Sequence, residues 1–148
     1  MRKIAIIGCT SRKKKYRCKA IELYQESSFF CKKLKYARNN LKVKDDDIYI
    51  LSAEHHLIRG SEEIDPYDNR LTDKPKAARK EWAEESLRQI REEFNPAEDK
   101  LFLFCGTRYY EFLECGLQEN NYQYEIPLRG KGGIGKQLQW LIQNTHDN

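Results

Sequence analysis

Residues 3–8 read Lys-Ile-Ala-Ile-Ile-Gly, and the small polar residues Cys9, Thr10 and Ser11 follow directly. A run of β-branched apolar residues that ends on glycine predicts a strand buried on both faces, which is typical of a parallel sheet. The polar residues after it predict a loop at the carboxyl end of that strand. Because ligands bind at this end of parallel sheets, the segment predicts both an α/β fold and the place of a site.

Three further segments continue the pattern along the chain. Residues 48–51 and 101–104 are short apolar runs, and residues 122–126 form a fourth strand-like segment. Apolar residues recur with helical spacing between these segments. The alternation predicts one α/β domain over residues 1–148, with a small four-stranded parallel sheet and helices on both faces. We expect the last helix to bury Ile134, Leu138, Leu141 and Ile142.

Composition limits the class of protein. The apolar runs are far shorter than the roughly 20 residues that span a bilayer, and none resembles the apolar part of a signal peptide. We therefore expect no membrane segment and a cytoplasmic location. The five cysteines and three histidines show no metal-ligand or paired-cysteine spacing. We accordingly expect no disulfide framework, no metal and no cofactor.

The net charge of +4 hides a strong asymmetry. Residues 1–44 hold 14 Lys or Arg against two Glu, whereas residues 45–148 hold 13 Lys or Arg against 21 acidic residues. A basic segment of this kind favours a surface that meets phosphate, with nucleic acid or a nucleotide as the partner. The alternative is a solvated basic face that the acidic remainder balances.

Polar residues that follow the predicted strands are the candidate substrate-binding groups. Cys9 is a candidate nucleophile beside several lysines, although packing of a small side chain at a strand end is the favoured interpretation. The tyrosines can stack on a base or pack at the rim of the core. The predicted substrate-binding residues are Cys9, Thr10, Ser11, Lys13, Tyr24, Ser52, Tyr67, Cys105, Gly106, Arg108 and Tyr109.

The loop after the second predicted strand is too long for a simple connection. It contains carboxylates and imidazoles, from which an acid and a base can be assembled. We predict catalytic roles for Asp65, Glu54 and His55. The alternative is an ordinary surface loop in which residues 65–68 only form a turn.

Residues 130–137 read Gly-Lys-Gly-Gly-Ile-Gly-Lys-Gln, which resembles a phosphate-binding loop before a helix. Gln137 stands where Ser or Thr would hold magnesium, so nucleotide hydrolysis is not expected. The glycines can also serve only a tight turn. A phosphate contact at this helix N-terminus is the favoured function. The predicted phosphate-binding residues are Lys14, Lys15, Arg129, Gly130, Gly135 and Lys136.

Several short motifs together resemble a largely uncharacterised α/β domain family of bacteria and their phages. The motifs are Cys9-x-x-x-Lys13, Leu23-Tyr24-x-x-Ser27, Leu51-Ser52-Ala53, Pro66-Tyr67-Asp68 and Ile134-Gly135-Lys136-Gln137-Leu138. That family is distantly similar to YaaA-like DNA-binding proteins, to the core of archaeosine synthase and to the uracil-DNA glycosylase fold. The resemblance implies a three-layer sandwich with a nucleobase pocket at the carboxyl edge of its sheet. Asp65 stands where archaeosine synthase has a lysine, so that enzyme's lysine chemistry is not implied.

Three functional hypotheses follow from these patterns. The first is an enzyme that processes nucleic acid or nucleosides, with N-glycosidic cleavage of a modified base as the reaction. In it, basic residues hold phosphates and a tyrosine stacks the extruded base. The second is a non-catalytic module that binds DNA, RNA or a nucleotide. The third is a phage or host protein that inhibits a partner. The sequence patterns are compatible with an enzyme, in which case it is a hydrolase of the base N-glycosylase type, and with a binding protein.

Overall fold

A computed structural model describes residues 1–147. The strands, in chain order, are β1 (Arg2–Gly8), β2 (Cys18–Lys19), β3 (Ile48–Ser52), β4 (His56–Arg59), β5 (Glu63–Ile64), β6 (Asp99–Phe104) and β7 (Gln123–Glu125). The helices are α1 (Ala20–Leu23), α2 (Ser28–Asn39), α3 (Lys76–Glu93), α4 (Thr107–Tyr110), α5 (Glu114–Glu119) and α6 (Ile134–Asn144). Strands and helices thus alternate along most of the chain, as the sequence predicts.

The main sheet has five strands in the order β4-β3-β1-β6-β7. β1, β3, β6 and β7 run parallel, so the mostly parallel sheet of a mixed α/β fold is confirmed. The prediction of four strands missed β4, which pairs antiparallel with β3. β4 is only four residues long and starts directly after a tight turn, so its composition does not distinguish it from the surrounding loop. β2 and β5 form a separate two-stranded antiparallel ribbon.

β1 lies at the centre of the sheet and is buried on both faces. Ile4 and Ile6 belong to the apolar cluster on one face, and Ala5 and Ile7 belong to the cluster on the other. α3 packs on the first face through Trp82 and Ile90, among others. α2 and α6 pack on the second face. Helices therefore cover both faces, as predicted.

The spacing of apolar residues predicts a helical region over residues 17–40, with Ser27 or Ser28 as the cap of its second half. This region forms two helices, because α1 ends at Leu23 and α2 begins at Ser28. Ser27 caps α2, since its hydroxyl accepts the backbone N–H of Phe30 at 3.2 Å. In α6, the predicted burial is wrong for Ile134 and Ile142, which are exposed, while Leu141 is fully buried. α6 thus covers the sheet with a narrow stripe near its carboxyl end.

Among residues 1–147, every helix is too short or too polar to span a bilayer.

Candidate functional site

A crevice opens beyond the carboxyl ends of β1 and β6, the two central strands. The chain leaves β1 toward β3 on one side and later returns to β6 on the other side. Loops that leave two neighbouring strands in opposite directions open such a crevice, which is the usual ligand site of an α/β sheet. A cavity of about 470 Å³ lies there, bounded below by Gly8, Phe104 and Cys105. We call it the switch-point pocket.

The switch-point pocket collects predicted residues from two distant loops. Eight of the eleven predicted substrate-binding residues line it, and they are Cys9, Thr10, Ser11, Lys13, Cys105, Gly106, Arg108 and Tyr109. The thiol of Cys9 and the hydroxyl of Tyr109 lie 3.1 Å apart, which joins the two loops directly. The convergence follows from the parallel pairing of β1 with β6, because both strands end at the same edge.

The charged side chains that line the pocket are all cationic. They are Lys13, Lys33, Arg70 and Arg108, and no Asp or Glu of the described residues lines it. Arg108 has a neighbouring acid outside the pocket, because its Nη1 lies 3.4 Å from Glu111 Oε2. The pocket therefore has a positive potential and is suited to an anion.

The three remaining predicted substrate-binding residues form a hydrogen-bond network beside the pocket. The hydroxyl of Tyr67 lies 2.5 Å from that of Tyr24 and 2.7 Å from Ser52 Oγ. Burial raises the pKa of both tyrosines, so their hydroxyls stay protonated. Lys13 Nζ lies over the Tyr67 ring, 4.6 Å from its centroid. The network holds the loop that contains Tyr67 against the loop that contains Lys13. Its three side chains thereby stabilise the wall of the pocket.

Cys105 at the floor of the pocket is buried. Burial raises the pKa of its thiol to about 12, despite the opposing effect of Lys33. A thiol of this kind is protonated at neutral pH and is a poor nucleophile or metal ligand. Its place next to Gly8 makes it part of the packing between β1 and β6.

Lys33 is a pocket residue that the sequence analysis missed. It lies on α2 with only 3 % of its surface exposed, and its Nζ lies 3.4 Å from the carbonyl oxygens of both Gly8 and Phe104. A signal was present in the sequence. Lys33 occupies the buried stripe of α2, three residues after Phe30 and four before Ala37. A lysine in an apolar stripe is a candidate for a buried functional group.

The profile of a family of unknown function, DUF6884, matches residues 4–143 and so includes every residue of the switch-point pocket. The chain belongs to DUF6884. This confirms the predicted resemblance to an uncharacterised family. No curated protein and no solved structure matches the chain. The more distant similarity to YaaA-like proteins, archaeosine synthase and uracil-DNA glycosylase therefore stays a prediction.

In this DUF6884 protein the three predicted catalytic residues lie outside the pocket. The side chain of Asp65 is 72 % exposed and forms an ion pair of 3.2 Å with Arg17. Glu54 is exposed and accepts a hydrogen bond of 3.0 Å from Asn69 Nδ2. His55 packs its ring against the edge of Tyr67, with 5.4 Å between ring centroids. None of the three lines the pocket, although His55 contacts Tyr67 and the backbone N–H groups of Glu54 and His55 donate to Ser52 Oγ.

The predicted phosphate-binding residues also lie outside the lining of the pocket. Arg129 forms an ion pair of 2.8 Å with Glu114, which satisfies its charge. Gly130 has a φ of +81°, a conformation that favours glycine, so this residue serves a turn. The first turn of α6 nevertheless borders the pocket through Ile134 and Gln137. The remaining predicted residues of this group are Lys14, Lys15, Gly135 and Lys136.

The described residues contain no group of three or more His, Cys, Asp or Glu side chains that could hold a metal ion. The polar groups of the pocket are cations, hydroxyls, amides and thiols instead. These groups bind anions and donate hydrogen bonds, and they suit an organic phosphate better than a cation.

Proposed function

We propose that the switch-point pocket binds a phosphorylated nucleoside, as a free nucleotide or as a nucleotide unit of a nucleic acid, and that the protein processes such molecules. One observation carries this proposal. Among the residues that the structure describes, four cations and no carboxylate line a pocket at the carboxyl ends of two central parallel strands. Nucleotides with their phosphates bind at this place in doubly wound α/β sheets.

The dimensions and lining of the pocket support a nucleotide over inorganic phosphate. A volume of about 470 Å³ falls in the range of pockets for small organic ligands, roughly 300–1,000 Å³. The rings of Phe29 and Tyr109 provide faces on which a base can stack. Asn69 and Gln137 supply amides that can bond the edge of a base. The N-terminal turn of α6 adds backbone N–H groups that favour an anion.

Within this proposal, N-glycosidic cleavage stays the candidate reaction, and the glycosylase-like three-layer sandwich stays the proposed fold relationship. The location of the pocket at the carboxyl edge supports both. The roles predicted for Asp65, Glu54 and His55 are not supported by a position in the pocket. A reaction at this site would use the groups that line it.

Binding without catalysis is the second candidate function, and the same cationic lining favours it. Detection of a reaction product distinguishes cleavage from binding without catalysis. Incubation with single-stranded DNA that carries modified bases, followed by mass spectrometry for free base, should detect release if the protein is a glycosylase. Binding with no release from any substrate would leave the binding module as the function.

The proposal as a whole is tested by calorimetric titration with the common nucleoside monophosphates and with the matching nucleosides. We expect the monophosphates to bind more tightly, and their affinity to fall as salt is added. Equal affinities for the two ligand classes would contradict the proposal, because the phosphate would then contribute nothing.

A further inference from the structure

Lys33 is an unusual lysine because it is buried with incomplete hydrogen bonding. Its Nζ contacts the last carbonyl oxygen of β1 and that of β6, Gly8 O and Phe104 O, both at 3.4 Å. A protonated amine has three N–H donors, and both contacts are long for hydrogen bonds. The ring of Phe29 lies 4.3 Å from the Nζ. The protein therefore stabilises the charged form of this side chain only weakly.

No carboxylate compensates for the charge of Lys33. Among residues 1–147, Lys33 belongs to no ion pair, and the ionisable groups that act on it are the thiols of Cys105 and Cys9. Burying a charged amine without an oppositely charged partner costs free energy. The neutral amine is therefore more favoured in the protein than it is for a lysine in water. Burial lowers the pKa of Lys33 to about 8. At neutral pH the neutral form of the amine is therefore more populated than in a lysine exposed to water.

The amine is buried away from bulk solvent and yet borders the pocket. Lys33, Cys9 and Phe29 all line the switch-point pocket, while the cations Lys13 and Arg108 line it as well from the exit loops of β1 and β6. A ligand whose phosphate contacts those two cations can place an uncharged part against Lys33. A lysine desolvated in an apolar environment is activated as a nucleophile, because burial favours its neutral amine.

We propose that Lys33 is a nucleophile that attacks C1 of a phosphorylated sugar and forms a covalent imine. The inference rests on the proposed function, because it takes the sugar phosphate of the bound nucleotide as its substrate. With an open-chain aldehyde, the Nζ–C1 bond forms, the carbonyl oxygen takes up the two protons that the neutral amine loses, and it leaves as water. With a nucleoside, Nζ displaces the base. The base departs with the bonding electron pair and takes up the proton that Nζ loses.

The resulting sugar amine opens its ring to give the same imine. Water then adds to the imine carbon, which releases the sugar as an aldehyde and restores the amine of Lys33. Atoms and electrons balance without an oxidant or a metal. The carboxylates outside the pocket have no part in this scheme, which fits a pocket lined by cations.

Borohydride trapping tests the proposal directly. The protein is incubated with ribose 5-phosphate and sodium cyanoborohydride, which reduces an imine to a stable secondary amine. We expect one adduct, heavier than the protein by the sugar phosphate less one oxygen atom. Peptide mapping should place it on Lys33, and inorganic phosphate should slow its formation. The matched variants are Lys33→Met, which removes the amine at similar volume, and Lys32→Met, which removes the adjacent lysine outside the pocket.

The expected pattern is trapping by wild type and by Lys32→Met, with at least a tenfold loss in Lys33→Met. Circular dichroism checks that Lys33→Met is folded, and the adduct map on wild type does not depend on any variant. Labels spread over surface lysines, or equal trapping by Lys33→Met, would overturn the inference. Nucleotide binding by wild type with no adduct would overturn the covalent step and leave the pocket assignment intact. If wild type shows neither nucleotide binding nor an adduct, the proposed function and the covalent step are both overturned.

Discussion

The thiol of Cys9 lies 3.1 Å from the hydroxyl of Tyr109, although 100 residues separate them along the chain. Cys9 is the first residue after β1, and Tyr109 belongs to α4 in the loop region after β6. Burial raises the pKa of the Tyr109 hydroxyl, and the nearby Cys9 thiol adds to the effect. The hydroxyl therefore stays protonated and can donate to the sulfur. This contact closes one side of the switch-point pocket and holds its two loops together.

The close approach of β1 and β6 below this contact requires glycine at position 8. A Cβ on Gly8 would lie 2.9 Å from Cys105 Cβ and 3.2 Å from its Cα. We expect Gly8→Ala to lower the free energy of unfolding by about 1–3 kcal/mol and to weaken ligand binding. Gly106→Ala is the matched control, because a Cβ there meets nothing within 4 Å. Urea unfolding of the two variants checks this, and equal stabilities would contradict the packing described.

Lys13 and Arg108 should bind the phosphate of a nucleotide. We expect Lys13→Gln and Arg108→Gln each to weaken the binding of a nucleoside monophosphate about tenfold, because each removes a charge-assisted hydrogen bond. The affinity for the matching nucleoside should change little. Lys15→Gln is the control, since Lys15 is exposed and lies outside the pocket. If Lys15→Gln weakens binding equally, the anion binds on the general basic surface instead.

The buried amine of Lys33 should make stability depend on pH in a defined direction. Burial lowers its pKa from 10.5 to about 8, so between these values the unfolded chain holds more protons than the folded chain. Stability from this group therefore rises with pH across that window. We expect Lys33→Met to be more stable than wild type at neutral pH, by about 1–3 kcal/mol.

The difference between Lys33→Met and wild type should narrow as the pH rises from about 8 toward 10, and urea unfolding over that range measures it. Tyrosines with raised pKa, such as Tyr24 and Tyr67, lower stability only above about pH 10 and do so in both proteins. A constant difference across the range would show that Lys33 is not desolvated in the folded state.

Asp65 should contribute little to either stability or ligand binding. Its side chain is 72 % exposed, and its partner Arg17 is exposed as well. We expect Asp65→Ala to change the free energy of unfolding by less than about 0.5 kcal/mol, because surface ion pairs contribute little. Nucleotide affinity should stay within about twofold of wild type. A large loss of base release or of binding in this variant would restore the catalytic role predicted from the sequence.

The fold was predictable where apolar residues alone decide the structure. The sheet buries residues 4–7 and 101–104, because these runs contain only apolar side chains. β4 was not predictable from its four residues, because a short strand is stabilised by its partner and not by its own composition. His56, at its start, has a φ of +63°, which no propensity of histidine indicates.

The site was predictable in outline, because polar residues after parallel strands must meet at one edge of the sheet. The residues after β1 and β6 were therefore found. The path of the long loop that follows β3 was harder to predict, since it depends on the hydroxyl contacts of Tyr67 with Ser52 and Tyr24. These contacts turn Tyr67 inward and leave Asp65 in solvent. Lys33 was missed because it lies between the basic residues Lys32 and Lys35 in sequence, and only its spacing with Phe30 and Ala37 indicates that it is buried.

The central claim is that a phosphorylated nucleoside binds in the switch-point pocket, and an amide NMR titration of the isotope-labelled protein tests it most directly. One sample receives a nucleoside monophosphate, and the other receives the matching nucleoside. The account predicts saturable shifts at Thr10, Ser11, Gly106 and Thr107, with tighter binding of the monophosphate. Equal binding of the two ligands, or shifts confined to Lys14, Lys15 and residues 130–136, would contradict it.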